Sequence, residues 1–330
     1  MPRILVLVSN LAQASYRLRI AAIVPLMKER GFEWDVQVRP RGWRARGQLR
    51  PVLRAAGDYD AVLVQRKFLD PSDAAVLRRH ARKIFYDIDD ALMHQNRPVG
   101  IISRWRTRRN FLATARVVDH VVAGNEHLAE IFRQRGCEVS VIPTMIDGGR
   151  YLVKSHAATA TPRLVWIGSR STIQYVQQFL PALERAAREV PGLRLLTIAN
   201  ATVQGGTLAV DHEEWSEQTE AAALCRGDIG IAPTPMDDWT MGKCGFKILQ
   251  YMASGLPVIA SPVGANAELV QEGITGYLPR TPEDWPAAIV ALAKDAALRA
   301  RLGAAGRELA ATRYTLDRAA DVWARVLSAD

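Results

Sequence analysis

Lys243, Lys247 and Gln250 stand at i, i+4 and i+7, a spacing that predicts one helix face bearing two ammonium groups and an amide. Phe246, Ile248, Leu249 and Met252 cover much of the remaining surface, so this helix is expected to be largely buried. Cations at the N-terminal end of a helix oppose its dipole, and a bound anion such as phosphate relieves that cost. Two solvated lysines are the competing reading. A second group, Asp87, Asp89 and Asp90, ends an apolar run, where carboxylates can share a hard cation, contact a substrate or cap the next helix. Arginine is paired with tryptophan in Arg39-Pro40-Arg41-Gly42-Trp43-Arg44-Ala45-Arg46 and in Ser103-Arg104-Trp105-Arg106-Thr107-Arg108-Arg109, the latter preceded by Arg97. Such runs suit a lipid headgroup interface, stacking on nucleic-acid bases, or a plain solvated surface. The six histidines form no HxxxH or triad-like cluster.

Short apolar runs and longer amphipathic stretches alternate around these groups. Ile4–Val8, Asp60–Val64, Ile84–Asp87, Val117–Val122 and Val139–Ile142 are predicted as buried parallel strands. The first helix is expected from an N-cap at Ser15 to Arg30, closed by Gly31. Residues 142–162, with Pro143, Gly148, Gly149 and a Ser/Ala/Thr run, have the composition of a linker. A second series follows: strand Arg163–Ile167, helix Thr172–Val190, strand Leu193–Ile198, helix Glu213–Leu224, strand Asp228–Ala232, helix Lys243–Ala253 and strand Val258–Ala260. Two helical segments close the chain, Pro282–Ala311 with a break near Asp295, and Thr315–Leu327. The expected fold class is α/β: two Rossmann-like parallel-sheet domains, 1–150 and 151–330, facing a central cleft. Ligands usually bind in such a cleft.

Composition sets the outer bounds. The 330 residues exceed one ordinary core, and 48% hydrophobic with 23% charged residues excludes a mostly disordered chain. No apolar run approaches the roughly 18–20 residues of a membrane span. Cys137, Cys225 and Cys244 lie too far apart in sequence for a CxxC pair, which with the absence of an export-like start leads to a cytoplasmic expectation. Charge divides by halves. Residues 1–150 hold 26 Lys and Arg against 15 Asp and Glu, a balance of +11, while residues 151–330 balance at −2. The basic half is expected to meet something anionic.

The stretch Gly245 to Gly264, including Gly255, Pro257 and Ser261, resembles the C-terminal signature of family-4 retaining glycosyltransferases of the GT-B fold (the glycosyl transferases group 1 type). Gly276-Tyr277-Leu278, Trp285, Leu302-Gly303, Gly306-Arg307 and Arg313-Tyr314 are similar to their closing helices, with the last helix packing back on the N-terminal domain. Ser15-Tyr16-Arg17-Leu18-Arg19, Phe85 through Ala91, and Ile142-Pro143-Thr144-Met145-Ile146-Asp147 resemble a subgroup of the same family. These matches run in order through nearly the whole chain.

The resemblance implies a nucleotide-sugar donor on the C-terminal domain and a glycan or lipid-linked acceptor on the N-terminal one. Donor-binding residues are then Gly168, Ser169, Arg170, Lys243, Phe246, Lys247, Gln250, Gly264 and Asn266. Many members carry Glu-x7-Glu, whose matching positions here are Gly242 and Gln250; an amide bonds a ribose hydroxyl less strongly than a carboxylate does. Relatives often have glycines in the loop after the first strand, whereas Ser9–Ser15 has none. Either the donor sits farther away, or Ser9 and Asn10 reach it. Arg170, Lys243 and Lys247 would stabilise the departing diphosphate, with no metal or other cofactor. Asp89 and Asp90 are placed with the catalytic groups, and Arg17, Arg19 and Asp87 on the acceptor side. The +11 half suggests an anionic membrane surface as a further partner, hence a peripheral place at the inner leaflet. A nucleotide-sugar epimerase of similar fold and a nucleic-acid-binding module are the alternatives; the second nucleotide-type domain argues against the latter.

Overall fold

The computed structural model describes residues 1–40, 46–94 and 99–329. Arg41, Trp43, Arg44 and Arg97, all within the predicted basic runs, lie outside the described residues. The chain forms two compact units. The first comprises Met1–Met145, Asp237–Cys244 and the segment from Leu316 onward; the second comprises Ile146–Met236 and Gly245–Thr315. A single cut at 150 therefore simplifies a chain that changes unit four times.

The first unit is built on β1 (Arg3–Val8), β2 (Glu33–Val38), β3 (Ala61–Gln65), β4 (Ile84–Ile88), β5 (His120–Ala123) and β6 (Glu138–Val141). They form one parallel sheet in the order β2-β1-β3-β4-β5-β6. β3 and β4 are buried along their whole length and read in the sequence as largely apolar runs, broken only by Gln65 and Asp87. β2 alternates Trp34, Val36 and Val38 with Glu33, Asp35 and Gln37, the pattern of an edge strand with one wet face. The last helix, Leu316–Ser328, belongs to this unit, and its buried Trp323 meets Trp34 edge-on at 5.6 Å.

The second unit carries β7 (Arg163–Ile167), β8 (Arg194–Ile198), β9 (Ala209–Glu213), β10 (Ile229–Ala232), β11 (Val258–Ala260) and β12 (Gly276–Tyr277). Their order is β12-β11-β10-β7-β8-β9, again parallel throughout. That is a Rossmann order, and successive connections reverse direction between β7 and β10. The ends of these two strands form the crevice where such sheets take ligands.

Three local expectations need correction. The helix expected over Ser15–Arg30 is interrupted: Ala14–Tyr16 runs into a π-helical turn, Arg17–Ala21, and a separate helix spans Val24–Glu29. Pro25, which has no N–H, sits in the first turn of that second piece, where none is required. Ser15 is buried inside the first turn, and the N-cap is Gln13. The helix expected from Glu213 begins only at Glu220, because Ala209–Glu213 pairs with β8. The helix expected from Lys243 begins at Phe246 after Gly245, whose φ of +63° is left-handed and cannot continue a right-handed helix. The break near Asp295 is a true boundary, since its side chain caps Leu298 N–H at 2.8 Å.

Candidate functional site

In the first unit, three separated motifs meet at the carboxyl ends of the strands. Arg19 Nη2 lies 2.6 Å from Asp87 Oδ1, and Arg19 Nε donates to both carboxylate oxygens at 3.1 and 3.2 Å. Arg19 Nη1 donates to the Ile142 carbonyl at 2.8 Å and to Thr144 Oγ1 at 3.3 Å. Gln65 Nε2 completes the set, donating to Asp87 Oδ2 and to the Ser15 carbonyl. Arg19 is 4% exposed and Asp87 0%. Burial pushes the Asp87 carboxyl upward while Arg19 draws it back. Arg19 and Asp87, expected to meet an acceptor, are therefore turned on each other in the interior. Arg17 is half-buried on the same π-turn.

Asp89 and Asp90 follow directly on β4 and face Arg66, a residue that sequence reading passed over. Arg66 Nη2 reaches Asp90 Oδ2 at 2.5 Å, and Nε lies 3.7 Å from Asp89 Oδ1. Arg66 is the only non-glycine with positive φ among the described residues, at +64°. That conformation costs roughly 1–2 kcal/mol, and bonds from Arg66 N–H to the Asp87 carbonyl and from Tyr86 Oη to the Arg66 carbonyl hold it. The available signal was its place at the end of an apolar strand, beside Lys67. Burial and the neighbouring Asp89 charge raise the Asp90 carboxyl, against Lys243 and Arg66. Among the described residues no cluster of three or more His, Cys, Asp or Glu is arranged to hold a metal.

Lys243 belongs to this group rather than to the helix of Lys247. The segment Asp237–Cys244 returns to the first unit, where Asn125 Nδ2 donates to the carbonyls of Met241 and Lys243 at 3.1 and 3.0 Å. Lys243 Nζ then lies 3.5 Å from Asp90 Oδ1 and 5.0 Å from the Trp239 ring centre. Gly242, at the position where the family pattern has Glu, sits so close to Ala91 that a Cβ would stand 2.4 Å from that side chain. Close packing here excludes a side chain, which explains the departure from the family pattern.

The second unit gathers the other predicted residues at the carboxyl ends of its own strands. The Trp166 ring on β7 lies directly under Gly168, where a Cβ would stand 2.4 Å from it. Lys247 Nζ is 4.6 Å from the centre of the same ring. Trp166 thus links Gly168 and Lys247, and its own Nε1 has no hydrogen-bond partner among the described residues. Ser169 and Arg170 are exposed beside it. Arg170 is held by Asn200 at the end of β8, whose Oδ1 accepts from Arg170 N–H at 2.8 Å and whose carbonyl accepts from Nη2 at 3.2 Å. Thr172 then begins the helix Ile173–Glu189.

Gln250 is buried, donating from Nε2 to Tyr151 Oη at 3.2 Å. Tyr151 donates in turn to Glu220 Oε1, whose other oxygen accepts from Trp215 Nε1 at 2.8 Å. Burial and Glu220 together push the Tyr151 phenol upward, so it remains a donor. Asn266 is also buried, and its Nδ2 donates to the Ser261 carbonyl at 3.2 Å beside Gly264, which has a φ of +53°. Phe246 is half-buried at the start of its helix. Gly168, Ser169, Arg170 and Lys247 therefore share one locality, while Gln250 and Asn266 are tied into the interior.

Residues 161–295 match the family model described as Glycosyl transferases group 1. The chain is 26% identical over 200 residues to the glycogen synthase of Mycobacterium tuberculosis, covering 56% of this chain and 47% of that protein. It thus spans about half the length of the curated relatives it matches. Among solved structures it is similar to Anabaena HepE in complex with UDP and glucose, with a TM-score of 0.72, 15% identity and coverage of 99% and 100% of the two chains. It is equally similar to a sucrose-phosphate synthase from Thermosynechococcus elongatus, with a TM-score of 0.72, 14% identity and coverage of 99% and 98%. These likenesses show the fold, two Rossmann-like α/β units of the GT-B kind.

Proposed function

We propose, from the match of residues 161–295 to the Glycosyl transferases group 1 model, that this protein moves a sugar from a nucleotide diphosphate donor to a glycan or lipid-linked acceptor with retention of configuration. The observation that carries this reading is the packing of Gly168 and Lys247 on the Trp166 ring, with Arg170 two residues beyond Gly168 and held by Asn200, at the strand ends where a Rossmann sheet takes nucleotides. An exposed guanidinium, an ammonium and the N-terminus of a 17-residue helix suit a diphosphate. HepE, solved with UDP and glucose, supports a nucleotide-sugar as the donor class.

In this reading the diphosphate leaves as the sugar's anomeric carbon takes an acceptor oxygen on the same face. A donor phosphate oxygen accepts the acceptor proton. Arg170 and Lys247 stabilise the negative charge that develops on the leaving group, and they need no reorganisation as it departs. Lys243, already engaged by Asp90, serves the acceptor side with Arg66, Asp89 and Asp90. The Arg19–Asp87 pair positions those residues from beneath. The protein would act in the cytoplasm, at the inner membrane leaflet when the acceptor is lipid-linked. No helix among the described residues is long and apolar enough to cross a membrane.

Screening nucleotide-sugars for release of UDP, GDP or ADP tests this reading. One diphosphate should be released, and excess EDTA should leave the rate unchanged. Loss of turnover on chelation with recovery in Mn²⁺ would assign the leaving-group role to a metal instead.

A further inference from the structure

The helix Ile101–Val117 carries two apolar faces, and only one of them is covered by the described residues. Its second half packs on the first unit's core through Phe111 and Thr114, with Leu69 N–H bonded to Thr114 Oγ1 at 2.8 Å. Its first six residues are all exposed. Ile101 is 84% exposed, Ile102 76% and Trp105 60%, three large apolar side chains within two turns. At about 100° per residue these three span an arc of about 100°, on the side of the helix away from Phe111 and Thr114. Arg104 and Arg108 flank one edge of the arc and Arg106 the other, while the Arg109 guanidinium stacks 4.9 Å over the Trp105 ring. The helix has five arginines and no acidic residue.

We propose that the exposed start of this helix is a membrane-docking element that lies in the headgroup region of an anionic phospholipid bilayer. It deepens the peripheral placement proposed above, on which it rests, and is independent of the donor chemistry. Ile101, Ile102 and Trp105 would enter the acyl boundary, an indole suiting the level where an apolar body meets a wet edge. The flanking arginines would then stand at the phosphates, which they can bond bidentately. A protein partner could cover an apolar arc as well, but four arginines around it with no carboxylate match a surface of repeated phosphates. The +11 balance of residues 1–150 adds long-range attraction to the same surface.

Co-sedimentation of the full chain with phosphatidylcholine vesicles, with and without phosphatidylglycerol, tests the proposal. Two variants accompany the wild type: Ile101→Ser/Ile102→Ser/Trp105→Ser and Arg104→Gln/Arg106→Gln/Arg108→Gln. All six positions are exposed, so both variants should melt with the wild type. The wild type should pellet with the anionic vesicles, less so as salt shortens the Debye length from about 10 Å at 0.1 M to about 3 Å at 1 M. Each variant should partition about tenfold less or worse. Equal, negligible pelleting everywhere would overturn the proposal, as would pelleting that both variants retain. So would a wild-type dimer in solution that the apolar variant abolishes, since the arc would then be covered by a second copy. Diphosphate release from a soluble donor, measured on the same samples, separates the two readings: vesicle binding without turnover would sink the proposed activity and leave the docking element standing.

Discussion

Replacing Arg19 with Met is expected to destabilise the first unit by about 3–5 kcal/mol, the cost of leaving a buried charge without its partner. Asp87 is 0% exposed, and apart from Arg19 its carboxylate receives, among the described residues, only the Gln65 amide. The same guanidinium holds the Ile142 carbonyl and Thr144, so its loss also releases the segment leaving β6. A loss of this size is a large part of the 5–15 kcal/mol that keeps an ordinary domain folded. The double variant Arg19→Met/Asp87→Leu should recover much of it, because no charge is then stranded. Denaturant unfolding followed by far-UV circular dichroism checks both values. A single variant that unfolds with the wild type would mean that water reaches Asp87 and that the network does not hold the strand ends together.

Replacing Lys247 with Ala is expected to lower kcat/KM for the nucleotide-sugar by between about tenfold and a hundredfold, as a charge-assisted contact is worth about 1.5–3 kcal/mol. The Lys247 ammonium rests on Trp166, whose face attracts a cation and fixes the group beside Gly168. Lys247 is half-buried at the start of its helix, so the melting temperature should move little. Steady-state kinetics on the released diphosphate give the comparison. Full activity in the variant would leave Arg170 as the cation that meets the phosphates.

Strands buried on both faces were legible because burial leaves mostly apolar choices, as in Val258–Ala260 and, apart from the ion-paired Asp87, in Ile84–Ile88. Three of the four edge strands were not: Glu33–Val38 and Ala209–Glu213 mix charged and apolar residues, and Gly276–Tyr277 is only two residues long. The motifs Ser15–Arg19, Asp87 and Ile142–Thr144 were visible one by one. Their common cause, a single buried ion pair, joins residues 68 apart and further, beyond what local spacing reports. The i, i+4 spacing of Lys243 and Lys247 misled because it presumes a continuous helix, while the left-handed Gly245 divides the two lysines between units. Trp166 was visible only as part of the predicted strand Arg163–Ile167. Its second role, as the floor under Gly168 and Lys247, follows from β7 lying next to the reversal in strand order.

The central claim, that Gly168, Arg170 and Lys247 take a nucleoside diphosphate, is tested most directly by calorimetric titration. UDP, GDP and ADP, each with its monophosphate, would be titrated into the wild type, Lys247→Ala and Arg170→Ala. One diphosphate should bind the wild type more tightly than its own monophosphate, and each variant should weaken it by about tenfold or more, equivalent to about 1.4 kcal/mol. Absence of binding by all three diphosphates, or binding that both variants retain in full, would contradict the account.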